Sequence, residues 1–306
     1  MAVLWTFILV FVLLFLAIGI VFSNKVMYIR KKTDEEILER EAGTYYNAEE
    51  YDALPKEMVI IQSPFGYSID GLYIPNNSKA CMIFCHGVTV NKINSIKYAN
   101  LFHKRGFNIL LYDHRRHGKT GGMTTSYGYY EKQDLKAVVD YVKQRFAPDI
   151  IGIHGESMGA ATLLQYAGSV EDGADFYIAD CPFSDFYEQL AYRLQVEFHL
   201  PKRPILDIAT LFLKWREGYS LKDVSPITYI QNIAHPILFI HSKEDDYILP
   251  SMTEELYEKK QGPKQLFLAE KGTHALSYGK NKEAYEEALD SFLQNYVFHE
   301  NNSSLK

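Results

Sequence analysis

A serine hydroxyl becomes a useful nucleophile only when a base takes its proton and an acid orients that base. The stretch Gly155-Glu156-Ser157-Met158-Gly159 puts one serine where such chemistry can be built. Residues 150–154 before it read as a buried strand, and the Ala/Leu-rich run after it reads as a helix. Ser157 therefore falls on a strand-to-helix turn, the context of a nucleophile elbow, and the flanking glycines let strand and helix approach closely. In such elbows the chain order is nucleophile, acid, base. That order prunes the ten histidines to two beyond the next candidate acid, His274 and His299. His299 lies in a polar tail, whereas His274 sits in Lys271-Gly272-Thr273-His274, a loop between the last expected strand and the final helix, so His274 is the expected base. The acid belongs on the loop after residues 236–241, where Glu244, Asp245 and Asp246 compete. Asp245 is best placed to turn back towards His274, with Asp246 solvated or capping a helix that starts near Pro250.

Acyl transfer also needs two backbone N–H groups aimed at a developing oxyanion. Met158, directly after the nucleophile, supplies one, and Val88, in His86-Gly87-Val88-Thr89, is the expected second. His86 precedes the nucleophile and is read as holding its own loop. Asp113-His114-Arg115-Arg116-His117-Gly118 is read as pinning neighbouring loops, and Glu156 as a structural group pointing away from the serine hydroxyl.

The elements that must position these groups follow from the apolar pattern. Strands are expected at 57–62, 67–74, 80–85, 107–112, 149–154, 175–180, 236–241 and 264–269, and helices near 94–104, 128–146, 158–168, 251–260 and 282–296. This alternation predicts a mostly parallel eight-stranded sheet flanked by helices, entered through an antiparallel hairpin around Pro64-Phe65-Gly66. About fifty residues separate the strand ending at Asp180 from the one starting at Pro236, too many for a simple crossover. Residues 184–225, apolar at helical spacing, are the expected cap over the site.

The chain begins with residues 2–22, whose only polar member is Thr6. At about 1.5 Å per residue this run spans roughly 30 Å of hydrocarbon. Lys25, Arg30, Lys31 and Lys32 follow it and no basic residue precedes it, so the positive-inside rule predicts a transmembrane anchor over 1–24 at the cell membrane, with the rest of the chain cytoplasmic. Thr33 with Glu36 reads as a capping box that opens a short acidic helix ended by Gly43. Residues 25–56 are expected to be a connector, a solvated spacer in preference to a segment docked on the catalytic domain through its acids and Tyr45, Tyr46 and Tyr51, with 57–297 the catalytic domain and 298–306 a polar tail.

A net charge of −6 with scattered basic residues removes the electrostatic footprint of a nucleic-acid-binding protein. Three cysteines do not make a disulfide framework. Cys81 and Cys85, in one strand, would stand about 13 Å apart, and all three read as free buried thiols.

Together, the loop from His86 to Lys92, the stretch from Asp113 to Gly118, the elbow at Ser157, Asp223-Val224-Ser225-Pro226-Ile227, the run from His241 to Pro250 and His274 make the chain resemble the alpha/beta-hydrolase superfamily. Within it the resemblance is to membrane-anchored bacterial serine hydrolases of prolyl-oligopeptidase-like and cinnamoyl-esterase-like type, over roughly residues 57–297. It implies Ser157 as nucleophile, Asp245 as acid, His274 as base, and Val88 and Met158 as oxyanion donors. It also implies hydrolysis of a small-molecule or acyl-chain ester through an acyl-enzyme, with amide or thioester cleavage as alternatives on the same triad. Neither metal nor organic cofactor is implied. One departure stands out: the acid loop opens His241-Ser242 where the family has His-Gly.

Overall fold

A computed structural model describes residues 1–41 and 48–298. Its centre is one eight-stranded sheet of order β1-β2-β4-β3-β5-β6-β7-β8. The strands are β1 (Glu57–Gln62), β2 (Ser68–Ile74), β3 (Ala80–Cys85), β4 (Asn108–Tyr112), β5 (Ile150–Glu156), β6 (Phe176–Asp180), β7 (Ile237–Ser242) and β8 (Lys264–Ala269). β1 and β2 form an antiparallel hairpin and β2 pairs antiparallel with β4, while the other pairings are parallel. The parallel strands β3 to β7 are buried along their whole length, as continuous apolar runs covered on both faces must be. β3 pairs with β4 on one side and β5 on the other, with Cys85 opposite Gly155. The loops leaving β3 and β5 therefore diverge at the carboxyl edge of neighbouring strands, where open α/β sheets form their clefts.

The helices are α1 (Ala2–Met27), α2 (Asp34–Glu41), α3 (Ala48–Ala53), α4 (Ile96–His103), α5 (Glu131–Phe146), α6 (Met158–Ser169), α7 (Phe186–Phe198), α8 (Lys202–Glu217), α9 (Pro226–Tyr229), α10 (Pro250–Lys259), α11 (Ser277–Lys280) and α12 (Lys282–Tyr296). One core lies between the sheet and α5, α6 and α10, around Val138, Leu163 and Phe239. A second lies between the other face and α4 and α12, around Phe102, Phe176 and Phe292. A third joins α7 and α8, the interval expected as a cap, to the end of α1 through Val26, Leu194, Leu206 and Leu213.

Two helices start more than one residue from where they are expected. The helix expected from 128 starts at Glu131, because the Glu131 carboxylate accepts the Ser126 and Gly128 N–H groups at 2.8 and 2.9 Å and so holds the preceding residues as a turn. The helix expected from 94 opens as a 3-10 turn over Lys92–Ser95 before α4 begins.

The connector is not a solvated spacer. Thr33 and Glu36 do form the expected capping box, with Glu36 N–H donating to Thr33 Oγ1 and Thr33 N–H to Glu36 Oε2. The helix it opens, α2, then docks: Ile37 is fully buried, Asn91 Nδ2 donates to Asp34 Oδ1 at 2.5 Å, and Arg40 bonds Asn94. Tyr51 is buried as well. Gly43, Tyr45, Tyr46 and His299 lie outside the described residues.

The apolar helix α1 runs three residues beyond the expected anchor, to Met27. Its window of mean hydropathy 3.0 is long and apolar enough to cross a membrane by length and composition. Its second half packs along α8: the Phe15 and Phe212 rings lie 5.7 Å apart, and a Cβ on Gly19 would fall 2.3 Å from the Phe212 ring. Arg216 Nη1 donates to Ser23 Oγ and Asn24 Oδ1 at 2.6 and 2.8 Å.

Candidate active site

Ser157 follows β5 and precedes α6 with φ 56° and ψ −117°, a left-handed conformation that a side-chain-bearing residue adopts only under local compulsion. That compulsion is visible on both sides. A Cβ on Gly155 would lie 2.5 Å from the Gly159 carbonyl, and one on Gly159 would lie 2.0 Å from Cys85 O. Ser157 N–H donates to Asp180 O at 2.8 Å, which fixes the turn to β6. The result lifts the Ser157 hydroxyl out of the sheet and towards the loop after β8.

There His274 Nε2 lies 2.8 Å from Ser157 Oγ, and His274 Nδ1 lies 2.7 Å from Asp245 Oδ2. A carboxylate only accepts, so Nδ1 carries the proton donated to Asp245 and Nε2 is left to accept from the serine hydroxyl. Asp245 is held from every side. Its Oδ1 accepts Tyr247 N–H at 2.9 Å and Ile248 N–H at 3.1 Å, and its Oδ2 also accepts from His241 Nε2 at 3.0 Å. Burial alone would raise its pKa, but the hydrogen bonds from His241 and His274 outweigh that and hold the carboxyl well below the ordinary range. The rival acids have other places. Asp246 is exposed, with its carbonyl accepting from Tyr192 and Arg193 of α7, and Glu244 Oε2 accepts Gly272 N–H at 2.8 Å, bracing the loop that carries His274.

The loop after β3 crosses in front of Ser157. His86 accepts the His114 N–H at Nε2, at 2.9 Å, and its Nδ1–H donates to Gly87 O at 2.7 Å, so one neutral imidazole ties two loops together. Burial first, and the neighbouring His114 and His117 next, keep the His86 pKa well below its ordinary value. Thr89 has φ 71°, and its carbonyl accepts the Lys32 N–H at 2.7 Å. Among the described residues, the Val88 and Met158 N–H groups find no acceptor; Val88 lines the cleft at Ser157, and Met158 follows Ser157 as the first residue of α6. Asp113 accepts the Lys92 and Lys119 N–H groups and the Lys92 ammonium, pinning its neighbouring loops.

Glu156 turns away from the serine hydroxyl into a buried cluster. Lys97 Nζ stands 2.8 Å from its Oε2, Asn94 donates to Oε1 at 2.8 Å and Tyr98 to Oε2 at 2.9 Å. Burial opposes the charge, but the Lys97 ammonium dominates and brings the Glu156 pKa down to about 2. Next to it, burial and then the Glu156 charge push Asp180 up to about 7.

Sequence reading passed over three contributors. His241, which also meets Thr253 Oγ1 at 2.6 Å through Nδ1, is a second support for Asp245. Its signal was its position four residues before the acid. Tyr247 places its ring 5.0 Å from that of His274, with the Arg193 guanidinium 4.3 Å above its ring. Gln189 Nε2 donates to Tyr247 O at 2.7 Å, so α7 grips the acid loop directly. Cys181, Asp245 and His274 present ligand atoms within 4.8 Å of one another. The set suits a cation poorly, because burial keeps the Cys181 thiol protonated and Asp245 and His274 are already bonded to each other.

A strand-to-helix serine at the carboxyl edge of this sheet order, with an acid after β7 and a histidine after β8, defines a class of protein. The chain belongs to the alpha/beta-hydrolase superfamily, and its class is that of hydrolases. Residues 76–210 match the family model described as serine aminopeptidase, S33. The uncharacterized protein YqkD of Bacillus subtilis (strain 168) is 54% identical over 284 residues, covering 92% of this chain and 93% of its own. Among solved structures, the Pyrococcus furiosus esterase Pf2001 superposes with TM-score 0.67 at 23% identity, over 83% of this chain and 97% of its own. The Pyrococcus horikoshii acylaminoacyl peptidase superposes with TM-score 0.61 at 19% identity, over 84% of this chain and 45% of its own. At these identities the two solved structures speak for the fold.

Proposed function

We propose that the chain is a membrane-anchored serine hydrolase that cleaves carboxylic esters through an acyl-enzyme. The observation that carries this reading is the unbroken line from Ser157 Oγ through His274 to the buried Asp245 carboxylate, at 2.8 and 2.7 Å. Ser157 Oγ attacks the ester carbonyl as His274 Nε2 takes its proton, and Asp245 stabilises the imidazolium. The Val88 and Met158 N–H groups receive the oxyanion. Collapse breaks the bond to the leaving alkoxide, which takes the proton from His274 and departs as the alcohol. Water then gives a proton to His274 and its hydroxide to the acyl carbon. The acid is released and the proton returns to Ser157. No cofactor enters the sequence.

An ester is favoured over a peptide because the cavity that adjoins the Ser157 cleft is lined mainly by apolar and aromatic side chains beside the cations Lys25, Arg30 and Arg193, and the acid lining it, Glu197, is paired with Arg193 at 2.6 Å. Residues 57–297 form the catalytic domain, with the cap at 184–225, a docked connector at 25–56 and a tail at 298–306. Residues 1–24 cross the cell membrane once, with the domain on the cytoplasmic side. The basic cluster after the span supports that orientation, and digestion of the domain by protease added to intact cells would contradict it.

The test is a chain-length series of p-nitrophenyl esters beside matched p-nitroanilides, using the full chain and Ser157→Ala. Esters should be turned over with an optimum in acyl length and anilides far more slowly, and the variant should lose about 10⁴-fold or more of the rate. Faster anilide cleavage would move the reading to an amidase, and equal rates for the variant would remove the serine mechanism.

A further inference from the structure

The span is more than a tether. A cavity of about 400 Å³ lies beside the cleft that holds Ser157, and one of its walls is the end of α1 and the residues that follow it. Phe22, Val26 and Ile29 face Leu190 and Leu194 of α7 and Leu206 of α8 across it. The cavity shares Val88, Thr89 and Tyr247 with the Ser157 cleft, so the two spaces meet at the loop expected to hold the oxyanion. The chain leaving α1 also braces that region by backbone bonds. Thr125 N–H donates to Met27 O at 3.0 Å, Arg116 Nη1 to Ile29 O at 3.0 Å, and Lys32 N–H to Thr89 O at 2.7 Å. The last of these bonds holds Thr89, a residue with positive φ that lines the Ser157 cleft.

The outer surface of the same region is apolar. Leu211 and Trp215, one helical turn apart on α8, are 56% and 80% exposed, and the turn joining α7 to α8 exposes Phe198 and Leu200. A lone exposed leucine needs no explanation, but this patch is continuous with a helix of membrane-spanning character, and an exposed tryptophan beside such a helix suits the boundary between hydrocarbon and headgroups. Lys25 and Arg30, at the cavity, stand where headgroups would be.

We infer that the N-terminal helix is part of the active site, and that the substrate is an ester whose acyl chain lies in the bilayer and enters the cavity between α1 and α7 directly from the leaflet. This rests on Ser157 being the nucleophile, and it names the substrate class that the serine reading leaves open.

The test uses the full chain in phospholipid nanodiscs and a hexadecyl fluorophosphonate carrying a diazirine at the end of its chain. Ser157 Oγ forms a bond to phosphorus as fluoride leaves, the serine proton passing through His274 to water. Irradiation then marks what the chain end touches. Crosslinks should concentrate in residues 22–30 and 190–198. Crosslinks confined to the surroundings of Arg40 and residues 273–275, on the other side of the cleft, would overturn the inference while leaving Ser157 as nucleophile. Probe held in the same nanodiscs as the protein should label at least about tenfold faster than probe held in separate nanodiscs. Equal rates mean entry from water and also overturn it. Val26→Trp, which fills the cavity, should lower the ratio of decanoyl to acetyl ester kcat/KM by about tenfold or more, and an unaltered ratio in folded protein contradicts the wall. No labelling of Ser157 in folded wild-type protein would instead bring down the serine reading, and this inference with it.

Discussion

At the scale of single residues, the acid is the most heavily supported group in the site. Asp245 accepts from two backbone amides and two imidazoles, whereas Asp246, one residue on, offers the site only its carbonyl. His241 Nε2 also reaches Ile248 O at 2.9 Å, so its ring closes the turn that points Asp245 at His274. Replacing it by leucine leaves the triad intact but lets the carboxylate drift. We expect His241→Leu to lower kcat by about 10²-fold with little change in KM; steady-state kinetics on the ester series checks this, and an unaltered kcat would show that the two amides suffice. That Ser157, Asp245 and His274 come together was legible because chain order and loop position constrain them. His241 was not, because its partner is fixed by the shape of a turn that the sequence leaves open among three acids.

At the scale of elements, the surprise is how far the segment after α1 is built into the domain. α2 carries few apolar residues and reads as a solvated acidic helix, yet Ile37 is buried and Glu41 reaches within 3.9 Å of Lys97, which in turn neutralises Glu156 beside the nucleophile. Such docking depends on charge pairs between residues more than fifty positions apart, which no local pattern discloses. Strand and helix order, by contrast, follow directly from apolar periodicity. One start moved where the Glu131 side chain captures backbone amides ahead of a helix. The buried pair makes a clear prediction: Lys97→Met leaves the Glu156 charge uncompensated and should cost about 3–5 kcal/mol in unfolding free energy. Urea denaturation measures this, and a loss within about 0.5 kcal/mol would mean that Asn94 and Tyr98 alone sustain the carboxylate.

For the whole molecule, buried titratable groups set the response to acid. Burial lowers His114 and His154 to about 3 and His117 to about 4, with His86 depressed as well. A depressed histidine contributes stability that is present above its unfolded value, near 6.5, and is lost as pH falls towards its folded value. Asp134 and Asp180, raised by burial to about 6 and about 7, act with the opposite sign over the same range. Four histidines stand against three raised carboxyls, Asp113 being the third, so the unfolded chain binds more protons than the folded one below pH 6. Stability should therefore fall steadily between about pH 6.5 and 4. His154→Phe, which keeps a ring against Phe84 and Tyr98, should make the decline shallower. A midpoint for urea unfolding that is flat or rising over this range would contradict the balance.

The account stands or falls on Ser157 carrying the acyl group. The most direct measurement mixes the full chain in detergent micelles with p-nitrophenyl butyrate, follows p-nitrophenol release on the millisecond scale, and locates the adduct by mass spectrometry after an acid quench. We predict a burst of about one p-nitrophenol per chain and a butyryl group on the peptide containing Ser157, both absent in Ser157→Ala. Turnover without an adduct on Ser157, continuing undiminished in Ser157→Ala, would contradict it.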